Sequence, residues 1–137
     1  MASVERVLET CLYVNDLATS KRFYLDLFHF PLLFQDERLC AFDAGSASVL
    51  LLFAKGRSIH AIATPGGNIP PHDGSGSEHI ALAINADQYD SWRDELVARN
   101  IVIESEVRWP RGGRSIYFRD PDDRLVELAT PGLWATY

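Results

Sequence analysis

Residues 9–14, Glu-Thr-Cys-Leu-Tyr-Val, and residues 79–84, His-Ile-Ala-Leu-Ala-Ile, decide the fold of this chain. Each is a short run rich in β-formers, and each opens the same order of elements. A strand over 7–14 leads to Asp16, a helix N-cap. Leu17, Phe23, Tyr24, Leu27 and Phe28 then recur at helical spacing. Apolar runs at 31–34, 39–42 and 48–53 follow, separated by the turn material Asp36-Glu37-Arg38 and Gly45-Ser46. From residue 79 the order repeats. Asn85 is placed to cap a helix with Gln88 as its capping-box partner, and Tyr89, Trp92, Leu96 and Val97 form the apolar face. Asn100 stands where a left-handed residue ends a helix. Strands are expected over 101–107, 115–118 and 125–129, the last two joined by the turn Asp120-Pro121-Asp122-Asp123.

The expected fold class is therefore α+β, two βαβββ modules within one domain spanning 1–137. Module one covers about 7–54 and module two about 77–130. Residues 55–76, with Gly56, Pro65, Gly66, Gly67, Pro70, Pro71, Gly74 and Gly76, are expected to be a linker or loop. A four-stranded sheet with a helix on one face leaves its other face open. Pairing two such sheets predicts a curved half-barrel whose concave side can hold a ligand.

Composition narrows the function classes. The chain has 137 residues, 47% hydrophobic and 23% charged, which suits a globular domain with its own core. Nineteen acidic and 13 basic residues give a net charge of −6, with no Lys/Arg cluster. That argues against nucleic acid and anionic membrane as partners. No apolar run is long enough for a membrane span, and the first residues do not read as a signal peptide. Two cysteines, Cys11 and Cys40, make no disulfide framework, so the cytoplasm is the expected compartment. Both thiols read as small hydrophobes.

Alternation along strands sorts the polar residues. If the aliphatic side chains Leu12, Val14, Ile80, Leu82, Val126 and Leu128 pack on the helices, Glu9, His79 and Glu127 face the opposite side. A histidine on such a strand can simply be a satisfied core residue, and a strand-end glutamate can simply be solvated. Two carboxylates buried without a partner would cost several kcal/mol, roughly. A cation would offset that cost, and an imidazole with two carboxylates is a competent ligand set for a divalent ion.

These motifs resemble the vicinal oxygen chelate superfamily, the glyoxalase/bleomycin resistance/extradiol dioxygenase group. The resemblance rests on Leu8-Glu-Thr-Cys-Leu-Tyr-Val-Asn-Asp-Leu17, Arg22-Phe-Tyr24, His79-Ile-Ala-Leu82 and Tyr117-Phe-Arg-Asp-Pro-Asp-Asp-Arg-Leu-Val-Glu-Leu128. It runs over most of the chain, and the four motifs in this order are more specific than any one alone. It implies paired βαβββ modules, commonly a homodimer, with a divalent metal ion (Zn, Mn, Ni, Fe or Mg) as cofactor and a small-molecule substrate. By the family's pattern the metal ligands are Glu9, His79 and Glu127, with Glu9 where histidine is common. Leu51, in Val49-Leu-Leu-Leu52, holds the position of a fourth ligand and cannot bind metal.

The resemblance implies a metal acting as a Lewis acid on a substrate oxygen. Glyoxalase I relatives usually use a carboxylate at the Leu51 position for proton transfer, which counts against that activity. Extradiol dioxygenases resemble a two-histidine, one-carboxylate iron site, whereas this set is harder. Thiol-transfer enzymes that open an epoxide use three ligands, and that count fits. The alternative is a metal-free binding protein of the bleomycin resistance type that sequesters a small molecule. A catalytically dead scaffold that only dimerises is a third reading. Tyr13, Trp109 and Tyr117 can line a binding surface, or be ordinary packing. Arg108, Arg111 and Arg114, around Gly112-Gly113, can hold a substrate anion, or be a solvated hairpin loop. His72, in a Pro/Gly-rich stretch, can close over the cup, or lie on the surface. Asp123 stands where the family's turn usually has glycine, a position that aspartate tolerates.

Overall fold

The computed structural model describes residues 1–137 and divides them into two units, 1–75 and 76–137. The protein is α+β, with ten strands and two α-helices.

In the first unit, β1 (Glu9–Val14) leads into α1 (Leu17–Phe28), then β2 (Leu32–Gln35), β3 (Leu39–Asp43) and β4 (Val49–Ala54). The sheet order is β1-β4-β3-β2, with β1 parallel to β4 and the other pairs antiparallel. Asp16 caps α1 as expected: its Oδ1 accepts from Thr19 N–H at 2.8 Å. The helix ends at His29 in the left-handed region (φ 55°), whose N–H returns to Leu25 O. Register places Leu12, Leu50, Leu52, Cys40 and Phe42 on one sheet face, all buried. An aromatic chain, Tyr24–Phe28–Phe30–Phe42, joins that face to α1. Burying each such leucine or phenylalanine contributes about 1.5–3 kcal/mol. The other face carries Leu39, Ala41, Leu51 and Phe53, with Tyr13 and Val49 against them.

The segment expected to be a plain linker holds a hairpin, β5 (Ile62–Thr64) with β6 (Gly67–Ile69). Three-residue strands are too short to show alternation, and Pro65-Gly66 supplies the turn. Beyond the hairpin, His72 N–H bonds Ser58 O at 2.9 Å, and the Gly74 backbone lies against the Tyr13 ring. A Cβ at residue 74 would stand 2.4 Å from Tyr13 Cδ2, so only glycine fits there.

In the second unit, β7 (His79–Ala83) is followed by α2 (Tyr89–Ala98), then β8 (Ser105–Arg108), β9 (Arg114–Arg119) and β10 (Leu125–Ala129). The order is β7-β10-β9-β8, the counterpart of the first sheet, again with one parallel pair. Three expectations are corrected. Asn85 and Gln88 form no capping box; residues 86–88 make a 3₁₀ turn without a side-chain cap, and α2 starts at Tyr89. Val97 is exposed, because the helix turns Tyr89 and Leu96 inward instead. The strand expected from 101 begins at Ser105, where pairing with Tyr117 starts. Asn100 and Asp123 do take the left-handed geometry (φ 58° and 61°).

Ile80, Ile116, Phe118, Val126 and Leu128 are buried on the face that α2 covers. There the Tyr89 hydroxyl donates to Glu106 Oε1 at 2.8 Å and the Arg114 guanidinium lies 3.6 Å from the Tyr89 ring centre.

Candidate metal centre

Strand register sets the site in the second unit. Leu125 pairs with His79, and Glu127 pairs with Ala81 and Tyr117. His79, Ser115, Tyr117 and Glu127 therefore share the sheet face away from α2. Ala81 and Ala83 on that face are small and exposed.

Glu127 is 4% exposed, and its two oxygens have different surroundings. Oε1 accepts from Ser115 Oγ at 2.5 Å and from Tyr117 Oη at 3.0 Å. Ser115 Oγ in turn accepts from Trp109 Nε1–H at 2.8 Å. Burial, then the bond to Glu127, raises the Tyr117 pKa, so its phenol stays a donor at neutral pH. Oε2 stands 3.1 Å from His79 Nε2. The His79 ring is half-exposed, and its Nδ1 is 2.9 Å from Leu125 O. A carbonyl only accepts, so Nδ1 carries the proton and donates. Nε2 then faces the carboxyl oxygen Oε2, and a shared proton or a divalent metal ion can join the two atoms. An Nδ1–H bond to a backbone carbonyl is how a metal-binding imidazole is usually oriented. The donor chemistry thus fits a divalent ion.

The other expected residues fall as follows. Glu9 opens β1 in the first unit, exposed, on the face shared by Cys11 and Tyr13. Leu51 pairs with Cys11, two residues beyond the partner of Glu9, just as Glu127 lies two beyond the partner of His79. It is buried among Leu39, Ala41 and Phe53. Neither unit by itself gathers three His, Cys, Asp or Glu side chains able to hold an ion. Tyr13 stacks on Phe53, and its hydroxyl is hydrogen-bonded to His72 Nδ1 at 2.7 Å. Trp109 and Tyr117 use their polar ends to hold the Glu127 network. Arg114 lies on the α2 side, and Arg111 and Arg108 are exposed at the β8–β9 turn. Cys11 and Cys40 are free; burial raises both thiol pKa values, Cys40 to about 11.

Sequence reasoning missed Ser115, although alternation from Tyr117 and its register opposite Ala129 put it on the Glu127 face. It also missed Arg124, a charged side chain wholly buried in the second unit.

A profile of the Glyoxalase/Bleomycin resistance protein/Dioxygenase superfamily matches residues 6–128. The chain belongs to this superfamily. The metallothiol transferase FosB of Staphylococcus epidermidis is 30% identical over 129 residues, 93% of this chain and 82% of that protein. FosB of Lysinibacillus sphaericus is also 30% identical, over 93% and 84%. Among solved structures, lactoylglutathione lyase from Agrobacterium tumefaciens superposes with a TM-score of 0.88 at 32% identity, covering 98% of this chain and 99% of that one. The fosfomycin resistance protein FosX from Listeria monocytogenes, 21% identical with a TM-score of 0.64, shares the fold. These relatives support a metal-dependent enzyme of this superfamily. No helix is long and apolar enough to cross a membrane.

Proposed function

We propose that the protein is a divalent-metal-dependent enzyme acting on a small molecule, with His79, Glu127 and Glu9 as the metal ligands. The observation that carries this reading is the His79–Glu127 pair, where Nε2 and Oε2 face each other at 3.1 Å with the other ring nitrogen and the other carboxylate oxygen already bonded. A bound divalent ion would supply Lewis-acid polarisation of a substrate oxygen. Ser115 and Tyr117 hold the carboxylate in one orientation, and the Leu125 carbonyl holds the imidazole.

Glu9 is the third ligand, supplied by a second copy in a homodimer. Two facts support this. β1 is an edge strand of its sheet, and the approach to Glu9 exposes Val4, Val7 and Leu8, an apolar strip that a partner would cover. Two free thiols fit a cytoplasmic setting.

Within the family, Leu51 favours thiol transfer over the proton shuttling of a lyase, because an aliphatic side chain cannot move a proton. In thiol addition to an epoxide, a C–S bond forms, a C–O bond breaks, and the thiol proton ends on the alkoxide. The test is activity of zinc- or manganese-loaded protein on an epoxide with a thiol, beside a hemithioacetal. Turnover of the first alone is expected. Turnover of the hemithioacetal alone would overturn the thiol-transfer reading, and no bound metal would overturn the enzyme reading in favour of a binding protein.

A further inference from the structure

We propose that Arg124 is a positioning residue for His79, acting through Glu78; this rests on the reading that His79 is a metal ligand. The Arg124 side chain is 0% exposed. Its Nε donates to Glu78 Oε2 at 2.9 Å and its Nη1 to Asp120 Oδ2 at 2.7 Å. Its backbone N–H donates to Asp120 Oδ1 at 3.0 Å, which fixes the β9–β10 turn. Each end of this clamp touches the site by one residue. Glu78 precedes His79, and Arg124 precedes Leu125, whose carbonyl takes the His79 Nδ1 proton. Leu125 N–H returns to Glu78 O at 2.9 Å and closes the loop. A planar guanidinium presents its donors in a fixed fork, so Glu78 and Asp120 are held at one spacing. The start of β7 and the start of β10 therefore keep the offset that aims the imidazole at Glu127.

The duplicated module shows that the fold itself does not need this clamp. The position matching Glu78 is Leu8 and the position matching Arg124 is Ser48, by the registers Glu9–Val49 and His79–Leu125. Module one keeps the backbone bond, Val49 N–H to Leu8 O at 2.9 Å, without any ion pair. Only the module with the His79–Glu127 pair buries a charge there. Buried ion pairs often add little net stability compared with apolar packing, so their retention suits a role in alignment.

The experiment uses full-length protein and three variants: Glu78→Gln, Arg124→Met and, as a control on an exposed ion pair, Glu104→Gln. Two readouts are taken, zinc affinity by competition titration and the His79 ring Nδ1–H proton in the NMR spectrum of metal-free protein. That proton is visible only while it is bonded and shielded from exchange. Glu78→Gln and Arg124→Met are expected to lose the ring signal and to weaken zinc binding about 10–100-fold. Glu104→Gln is expected to change neither. Glu78 is partly exposed, so its variant keeps the test valid if Arg124→Met does not fold. A ring signal that survives in folded Glu78→Gln overturns the proposal, as does its absence from the wild type. If the wild type binds no zinc but loses the ring signal on Glu78→Gln, the metal reading fails and the positioning role stands.

Discussion

Ser115 links an indole, a hydroxyl and a carboxylate in one line, and its hydroxyl both accepts from Trp109 and donates to Glu127. Ser115→Ala should cost about 1 kcal/mol in urea denaturation, from the lost bonds of buried groups. It should weaken zinc binding about tenfold, because Glu127 loses one of the two donors that orient it. Close backbone approach gives a second prediction. A Cβ on Gly113 would lie 2.6 Å from the Gly132 carbonyl carbon, where neither side can yield. Gly113→Ala should therefore destabilise by roughly 1–3 kcal/mol or more in the same assay. At this scale alternation was enough to bring His79 and Glu127 to one face. The chain of bonds behind Glu127 was not legible, because it depends on which polar tips reach each other across β8, β9 and β10. Trp109 and Tyr117 stayed open between a binding surface and ordinary packing for that reason. Arg124 carried no signal, since nothing local distinguishes a buried arginine in a turn from a solvated one.

Helix α2 is pinned to its sheet by Tyr89, whose phenol bonds Glu106 and whose ring lies under Arg114. Burial, then the Glu106 bond, pushes the Tyr89 pKa up to about 12. A pKa raised in the folded state gives stability that is full below the ordinary value near 10 and fades as pH climbs towards 12. Thermal midpoints measured from pH 9 to 12 should fall across that window, and Tyr89→Phe should flatten part of the fall. Element order and the Asp16 cap were readable because apolar period and capping chemistry are local. The start of α2 was not. Asn85 and Gln88 have the right identities for a capping box, yet the chain spends those residues on a 3₁₀ turn. The β5–β6 hairpin was hidden by the glycines and prolines around it.

The whole molecule repeats one module, and the repeat made the fold legible from two six-residue runs. Its two halves differ at Leu51 against Glu127, and at Leu8 with Ser48 against Glu78 with Arg124, and the proposed metal site rests on the first difference. Whether a second copy completes the site can be read by mixing variants. Glu9→Ala and Glu127→Ala homodimers should each bind zinc poorly, while mixed dimers should regain one intact site. A site built within one chain would show no recovery on mixing. The most direct measurement is the divalent-metal content of full-length protein purified without chelator, beside folded His79→Ala and Glu127→Gln. A metal site at His79 and Glu127 predicts about one ion per chain in the wild type and almost none in either variant. A wild type that binds no divalent ion at micromolar affinity, or variants that bind as well as the wild type, would contradict it.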